Sequence, residues 1–482
     1  MLFNTVDYAI FFAIVFMTSW AMARWLRGWP RLVLLLLASY WFYAHWDWRY
    51  LPLIFGSSTV DFYLARWIAS RSEPRSRKRL LVITVVLNLG LLAVFKYWNF
   101  GVENVRLAWS ALSGQALAAP TEAMKVLLPP VGISFFTFVS MSYVIDVYRK
   151  RIEPHRSYLR YILFVAFFPH LVAGPIVRAR DLLPQFERPP RLTREEGGEG
   201  LFLVAVGLIK KVVIADQLAL QLVDRVFDNP QAYSAVETVT AVYGYAVQIY
   251  CDFSGYSDIA IGSALLLGIR FPINFDSPYK AHNLADFWHR WHISLSTWLR
   301  DYLYIPLGGS RGSPLATYRN LMITMLLGGL WHGASWAFVF WGFLHGLGLA
   351  VTRAVQRRRE QRAGGRTSAP SLAHKLTAGF LTFQYVCLAW IFFRAPTFED
   401  AMEVIRRIAS FSTETPNLPP VVLALLGIGM LSHFTPRDSY RWCREQFTAL
   451  PAPAQGVVLF LVAVLLHEAA STQAVPFVYF QF

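Results

Sequence analysis

NLMITMLLGGLWHGASWAFVFWGFLHGLGLAVT, residues 320–352, runs for thirty-three positions without an Asp, Glu, Lys or Arg. A helix crosses bilayer hydrocarbon in ~20 residues, so the run is too long for one upright span. Gly328-Gly329 and Gly333 offer places where it can bend or break. Near its middle stands His332, an ionisable group at a depth where such groups are costly and mark a pathway or a site. Gly328, Gly329, Gly333, Ala334 and Ser335 are small, so backbone or a thin substrate can approach it closely. The competing reading is a neutral histidine hydrogen-bonded to a neighbouring helix.

The rest of the chain repeats this pattern. Its 482 residues are 55% hydrophobic, 16% aromatic and only 16% charged, against ~25% charged in soluble domains. Runs such as 32–46 and 80–95 also lack formal charge, and the chain can supply roughly ten passes. The expected fold class is an all-α polytopic membrane protein. Candidate spans are 6–23, 32–46, 51–69, 80–97, 126–147, 201–227, 236–269, 320–352, 372–393, 420–434 and 456–469. Segment 158–177 enters the membrane, 173–200 is cytoplasmic or re-entrant, 98–124 is an outer loop, and 270–318 is polar and irregular. The opening MLFNTVDYAIFFAIVF lacks a basic n-region and a small-residue cleavage site, so it reads as a retained first span.

The formal charge of +15 does not point to nucleic acid. Its basic residues cluster in short loops, Arg24–Arg31, Arg71–Arg79, Arg149–Arg151 and Arg353–Arg366, which the positive-inside rule makes cytoplasmic. Counting spans from these loops puts both chain ends on the extracytoplasmic side. Without an internal repeat, the repeat-built transporter folds are disfavoured. Cys251, Cys387 and Cys443 lie far apart and form neither a disulfide framework nor a metal motif.

Three further stretches carry polar chemistry. DFWHRWHISLSTWLRDYLYIPLGGSRG, 286–312, sets His289 and His292 three apart, which on one helix would share a face. No HExxH carboxylate or nearby Cys accompanies them, so no metal is expected. A histidine's ordinary pKa near ~6.5 suits proton abstraction from a hydroxyl instead. Trp288, Trp291 and Trp298 read as interfacial anchors in preference to substrate walls. YCDFSGYSDIAIG, 250–262, places Asp252 and Asp258 inside a span, as cavity lining or as an interhelical hydrogen bond. Finally VPFVYFQF, 475–482, is uncharged with four aromatics, and Tyr479 holds its only nucleophilic side-chain oxygen. No nucleophile elbow, Walker loop or dinucleotide fingerprint is present, so the expected chemistry is histidine-based.

LPPVGISFFTFVSMSYVIDVYR (128–149), FFPHLVAGPIVRARDLLPQ (167–185), GLIKKVVIADQLA (207–219), DFSGYSDIAIG (252–262), FWHRWHISLSTWLRDYLYIPLGG (287–309), GLWHGASW (329–336), WIFFRAPTFEDA (390–401) and PFVYFQF together resemble the membrane-bound O-acyltransferase (MBOAT) family. Within it the chain is similar to bacterial membrane subunits that O-acetylate alginate. His289 and His170 stand where the family often has Arg and Gln. The resemblance implies a helical ring with a central funnel and re-entrant segments. It divides the chain into N-terminal helices (1–124), an MBOAT core (125–400), C-terminal helices (401–474) and an aromatic tail (475–482).

The resemblance further implies acyl transfer in the bacterial inner membrane, from cytoplasmic acetyl-CoA to a hydroxyl outside, with no bound cofactor. His332 matches the catalytic histidine and His292 the second functional position; Asp286 and Asn283 are candidate supports. Arg290, Arg300, Arg311 and Arg319 either hold the donor's phosphates or merely obey the positive-inside bias. Tyr479 matches a tail tyrosine that accepts the acyl group before a periplasmic transferase, the implied partner, takes it; the alternative is a tail packed as an aromatic belt. Alginate is the first choice of polymer, with peptidoglycan, cellulose or teichoic-acid D-alanylation behind it. A polymer or lipid-precursor transporter is the alternative of another class.

Overall fold

A computed structural model describes residues 1–25, 28–115, 130–363, 371–470 and 475–480. Among these residues every regular element is helical. The chain forms two compact units: Ala9–Arg191 with Met1 and Gly333–Ser335, and Leu2–Tyr8 with Leu192–His332 and Trp336–Phe482.

The first unit holds most of α1 (Val6–Trp25), then α2 (Trp29–Asp47), α3 (Leu51–Ser70), α4 (Pro74–Leu92), α5 (Trp98–Ser113), α6 (Ile133–Tyr148), α7 (Tyr158–Ala166), α8 (Phe168–Leu171) and α9 (Ala179–Glu187). A π turn over Ala93–Tyr97 joins α4 and α5 into one forty-residue helix, Pro74–Ser113. The expected outer loop at 98–124 is therefore helical to Ser113, and 116–124 lie outside the described residues. Val102, Val105, Trp109 and Leu112 make a stripe at helical spacing, which the intervening Glu103, Asn104 and Arg106 disguise. Inside this unit Asp61 is buried. Asn88 Nδ2 donates to both its oxygens at 3.0 Å and Ser140 Oγ donates at 2.5 Å, so hydrogen bonds satisfy the carboxylate.

The second unit holds α10 (Arg194–Leu208), α11 (Asp224–Asp228), α12 (Ala235–Leu266), α13 (Leu284–Arg290), α14 (Ile293–Leu299), α15 (Pro314–His332), α16 (Trp336–Ala363), α17 (Leu372–Arg394), α18 (Phe398–Ile408), α19 (Pro420–Phe434), α20 (Arg437–Ala449) and α21 (Ala452–Ala469). Two π segments, Ile209–Asp216 and Ala219–Val223, carry α10 on into α11. Thr193 with Glu196 and Ser234 with Glu237 form capping boxes that start α10 and α12.

Helices α10 and α12 run antiparallel and touch through glycine. A Cβ at Gly207 would lie 2.6 Å from the Gly255 carbonyl oxygen, and one at Gly262 would lie 2.6 Å from that of Gly200. Gly207→Val is accordingly expected to cost about 1–3 kcal/mol by overpacking, seen as a lower thermal unfolding midpoint. An unchanged midpoint would show that the helices separate freely there.

Helices α15 and α16 account for the long uncharged run. The chain breaks immediately after His332, at 333–335. Gly328 and Gly329, expected as possible bends, stay within α15. Gly329 serves close packing instead, since a Cβ there would collide with the Phe338 carbonyl of α16. The expected Arg353–Arg366 loop is also corrected: α16 continues to Ala363, and 364–366 fall outside the described residues.

Five described helices are long and apolar enough to cross a membrane: Val6–Trp25, Pro74–Ser113, Trp336–Arg362, Leu372–Arg394 and Ala452–Ala469. Ile133–Tyr148 and Pro420–Phe434 are shorter and apolar. Other expected spans, such as α3 with Asp61 and α12 with Asp252, turn polar groups inward. Exposed Leu431, Phe460 and Leu461 belong to the apolar exterior that a lipid phase covers.

Candidate active site

His332 is the last residue of α15 and is buried, 3% exposed. Its ring lies 5.0 Å from Trp341 of α16, 5.2 Å from Phe393 of α17 and 5.4 Å from Tyr479. The helix end explains the placement, because the break at 333–335 turns α16 back so that Trp341 faces the imidazole. Tyr479 sits in a short turn, Val478–Phe480, and its hydroxyl oxygen is buried. Phe253 of α12 stands 4.7 Å from the Tyr479 ring, and Phe477 stacks on that ring at 5.4 Å. Thus the last described segment of the chain enters the aromatic cluster around His332.

His292 approaches the same cluster from another side. It is wholly buried and lies 4.7 Å from Phe253 and 6.2 Å from Trp331, the neighbour of His332. Its φ of +42° is left-handed, a conformation that non-glycine residues adopt at a cost of about 1–3 kcal/mol and chiefly at functional sites. Asn274 holds it there. Its Oδ1 meets His292 Nδ1 at 3.2 Å and accepts from the Ser294 N–H at 3.2 Å and from Ser294 Oγ at 2.9 Å. Asn274 Nδ2 donates to Ser257 Oγ at 3.2 Å, which orients the amide with oxygen toward the imidazole. In that arrangement the Nδ1 of His292 bears the proton and Nε2 the lone pair.

Several expected site residues lie elsewhere. His289 and His292 do not share a helix face: α13 ends at Arg290, α14 begins at Ile293, and His289 is exposed. No cluster of metal-ligating side chains occurs among the described residues. Trp288, Trp291 and Trp298 are not interfacial anchors; they are 7%, 1% and 6% exposed. Asn283 caps α13 by accepting from the Asp286 N–H at 2.9 Å, and Asp286 pairs with Arg290 at 2.7 Å. These two stabilise a helix start. Arg300 pairs with Asp301 at 2.8 Å, Arg319 donates to Asn320, and Arg311 is exposed.

The two aspartates of α12 are ion-paired. Lys210 Nζ meets Asp258 Oδ2 at 2.7 Å. Lys211 Nζ meets both Asp252 Oδ1 and Asp216 Oδ1 at 2.7 Å, and all three side chains are buried. Asp252 also bears on the tail, since its Oδ2 accepts from the Val478 N–H at 2.7 Å.

Sequence reasoning passed over Lys210, Lys211, Asp216 and Asn274 as site-forming groups. It also passed over His345, which is fully buried on α16 and accepts from Trp288 Nε1 at 3.2 Å. A second histidine in the same uncharged run as His332 was the available clue.

The arrangement offers two imidazoles and one phenol in an apolar, water-poor cluster. Neutral imidazole takes a proton from a hydroxyl that attacks an acyl carbon, and returns it to the leaving group. Buried histidines beside a phenol in an all-helical protein with an apolar exterior fit the class of intramembrane acyl-transfer enzymes. The sequence profile of the membrane-bound O-acyltransferase family matches residues 131–390, and the chain belongs to that family. It is a multi-pass membrane O-acyltransferase.

Relatives narrow the likeness further. The chain is 43% identical over 386 residues to the probable alginate O-acetylase AlgI of Pseudomonas aeruginosa, covering 80% of this chain and 70% of that protein. The Pseudomonas putida counterpart is 38% identical over 479 residues, 94% of each chain. The peptidoglycan O-acetyltransferase of Helicobacter pylori is 40% identical over 399 residues, covering 77% of this chain and 72% of that protein.

Proposed function

We propose that this chain carries acetyl groups from cytoplasmic acetyl-CoA across the bacterial inner membrane for O-acetylation of an exopolysaccharide, alginate, with Tyr479 as the relay. The observation that carries the reading is the 5.4 Å approach of the His332 and Tyr479 rings. A phenol with an ordinary pKa of ~10 is a poor nucleophile at neutral pH until a base takes its proton. His332 removes that proton as the Tyr479 oxygen attacks the thioester carbonyl. The C–O bond forms, the C–S bond breaks, and the imidazolium returns its proton to the departing thiolate. His292, its Nε2 lone pair set by Asn274, orients the donor or shares the proton.

The product is an aryl ester, and phenolate leaves far more readily than an alkoxide. Acetyl-Tyr479 therefore keeps much of the transfer potential of the thioester, as a relay must. An extracytoplasmic acetyltransferase partner then moves the acetyl to the sugar hydroxyl, which returns the phenol. With Arg290 and Arg300 engaged by Asp286 and Asp301, Arg311 carries the expectation of a donor phosphate contact. The likeness to a peptidoglycan O-acetyltransferase favours a second reading, in which the polymer is peptidoglycan.

Purified protein exposed to radiolabelled acetyl-CoA in proteoliposomes is expected to take up stoichiometric, hydroxylamine-labile label. Absence of label overturns the relay. Deleting the gene decides the polymer: alginate loses its acetyl groups under the first reading and muramic acid loses them under the second.

A further inference from the structure

We infer that Lys211, Asp216 and Asp252 form a positioning latch that grips the backbone of residues 476–478 and so sets Tyr479 against His332. The inference rests on the relay reading for its purpose, but on its own contacts for its existence. Lys211 Nζ lies 2.7 Å from both carboxylates and 3.5 Å from the Pro476 carbonyl oxygen. Asp252 divides its oxygens: Oδ1 faces Lys211, and Oδ2 accepts from the Val478 N–H at 2.7 Å. Both grips on the tail are to main-chain atoms, one donor and one acceptor.

Buried charges are costly unless paired and hydrogen-bonded. One ammonium shared by two carboxylates leaves a deficit of donors, and the tail N–H helps to fill it at Asp252. An undocked tail would leave that oxygen poorer in donors, so docking and charge burial support one another. The aromatic contacts act alongside: Phe477 stacks on Tyr256 at 4.4 Å, and Tyr479 stacks on Phe477 at 5.4 Å. With the backbone pinned at 476 and 478, the Tyr479 ring follows at once and reaches the His332 cluster.

The local fold is shaped for this. Lys211 and Asp216 lie in the π segment Ile209–Asp216. On an α-helix, positions five apart point about 140° from each other. The wider π turn, with its i→i+5 bonding, brings them onto one face, and such turns gather at functional sites. The Gly207–Gly255 crossing then brings the segment close enough to α12 for Lys211 to reach Asp252. A mere staple between helices would need Lys211 and Asp252 alone and would be indifferent to the tail.

The test uses the full-length protein in detergent with Cys443, the exposed cysteine, replaced by Ser and a reporter Tyr479→Cys. Maleimide labelling of that thiol reads whether the tail is docked. Adding Val478→Pro, which deletes the gripped N–H, is expected to speed labelling at least tenfold, whereas Val478→Ala, which keeps the N–H, is not. Asp252→Asn and Lys211→Met should each speed labelling similarly. Equal labelling in the Val478→Pro and parent proteins overturns the latch, as does equal acceleration by Val478→Ala. Val478→Pro keeps all three charged side chains, so it decides the matter even where the charge variants fail to fold. Thiol labelling needs no acetyl donor, so a failed relay and a failed latch give different results. In the otherwise native chain, Val478→Pro should lower acetyl occupancy of Tyr479.

Discussion

His332→Ala is expected to lower acetyl uptake by about 10²–10⁴-fold, the usual contribution of a positioned general base. The loss should come with little change in fold. His332 sits at the end of α15 within a wall of rings, Trp341 at 5.0 Å and Phe393 at 5.2 Å. The cavity left by the imidazole costs stability in the range of other large-to-small core changes, ~2–5 kcal/mol. His332→Phe fills that space without a basic nitrogen and separates the two effects. Measured as counts incorporated from labelled acetyl-CoA, both variants should fall together. Recovery of uptake in His332→Phe would mean that the ring packs and does not catalyse.

Tyr479→Phe is the second large effect. It removes one oxygen and preserves the ring that stacks with Phe477 at 5.4 Å and faces Phe253 at 4.7 Å. Tail docking should therefore be retained while polymer acetylation in cells falls to background. In the native protein, mass spectrometry after donor exposure should find the acetyl group on the peptide containing Tyr479. A Tyr479→Phe strain that acetylates its polymer normally would reduce the tail to a plug. Comparing the two variants also orders the steps. His332→Ala should leave Tyr479 unacetylated, whereas Tyr479→Phe should leave His332 and His292 intact but without an acceptor.

Spans such as 6–23, 372–393 and 456–469 were legible because an apolar run is a local property of the chain. What glycine does within such a run was not. Gly329 and Gly333 are alike in sequence, yet Gly329 admits the α16 backbone while the chain breaks at 333–335. His332 stood out as an ionisable group in an uncharged stretch, and its burial places it in the core. The approach of Tyr479 to it could not be read from composition; only likeness to a family pointed there. Tryptophan misled because its ring suits a membrane interface and a protein core equally well. The N–H of Trp288 finds His345, so this ring belongs in the core. Lys211 and Asp216 escaped because helical spacing assumes 3.6 residues per turn, and their pairing depends on a π register.

The adjacent lysines of that segment bear on how the protein is made. Lys210 and Lys211 lie in a stretch read as crossing the membrane, and each finds its carboxylate on α12, at Asp258 and Asp252. A lysine at the centre of a lone inserting helix costs roughly 2.5–3.5 kcal/mol. As nascent chain leaves the ribosome, residues 194–228 emerge with Asp216 but before the α12 carboxylates Asp252 and Asp258. Insertion as a neutralised hairpin of 194–228 with 235–266 is therefore expected to cost less than insertion of the first helix alone. Pairing before release to lipid is thus the expected order of assembly, set by two consecutive lysines.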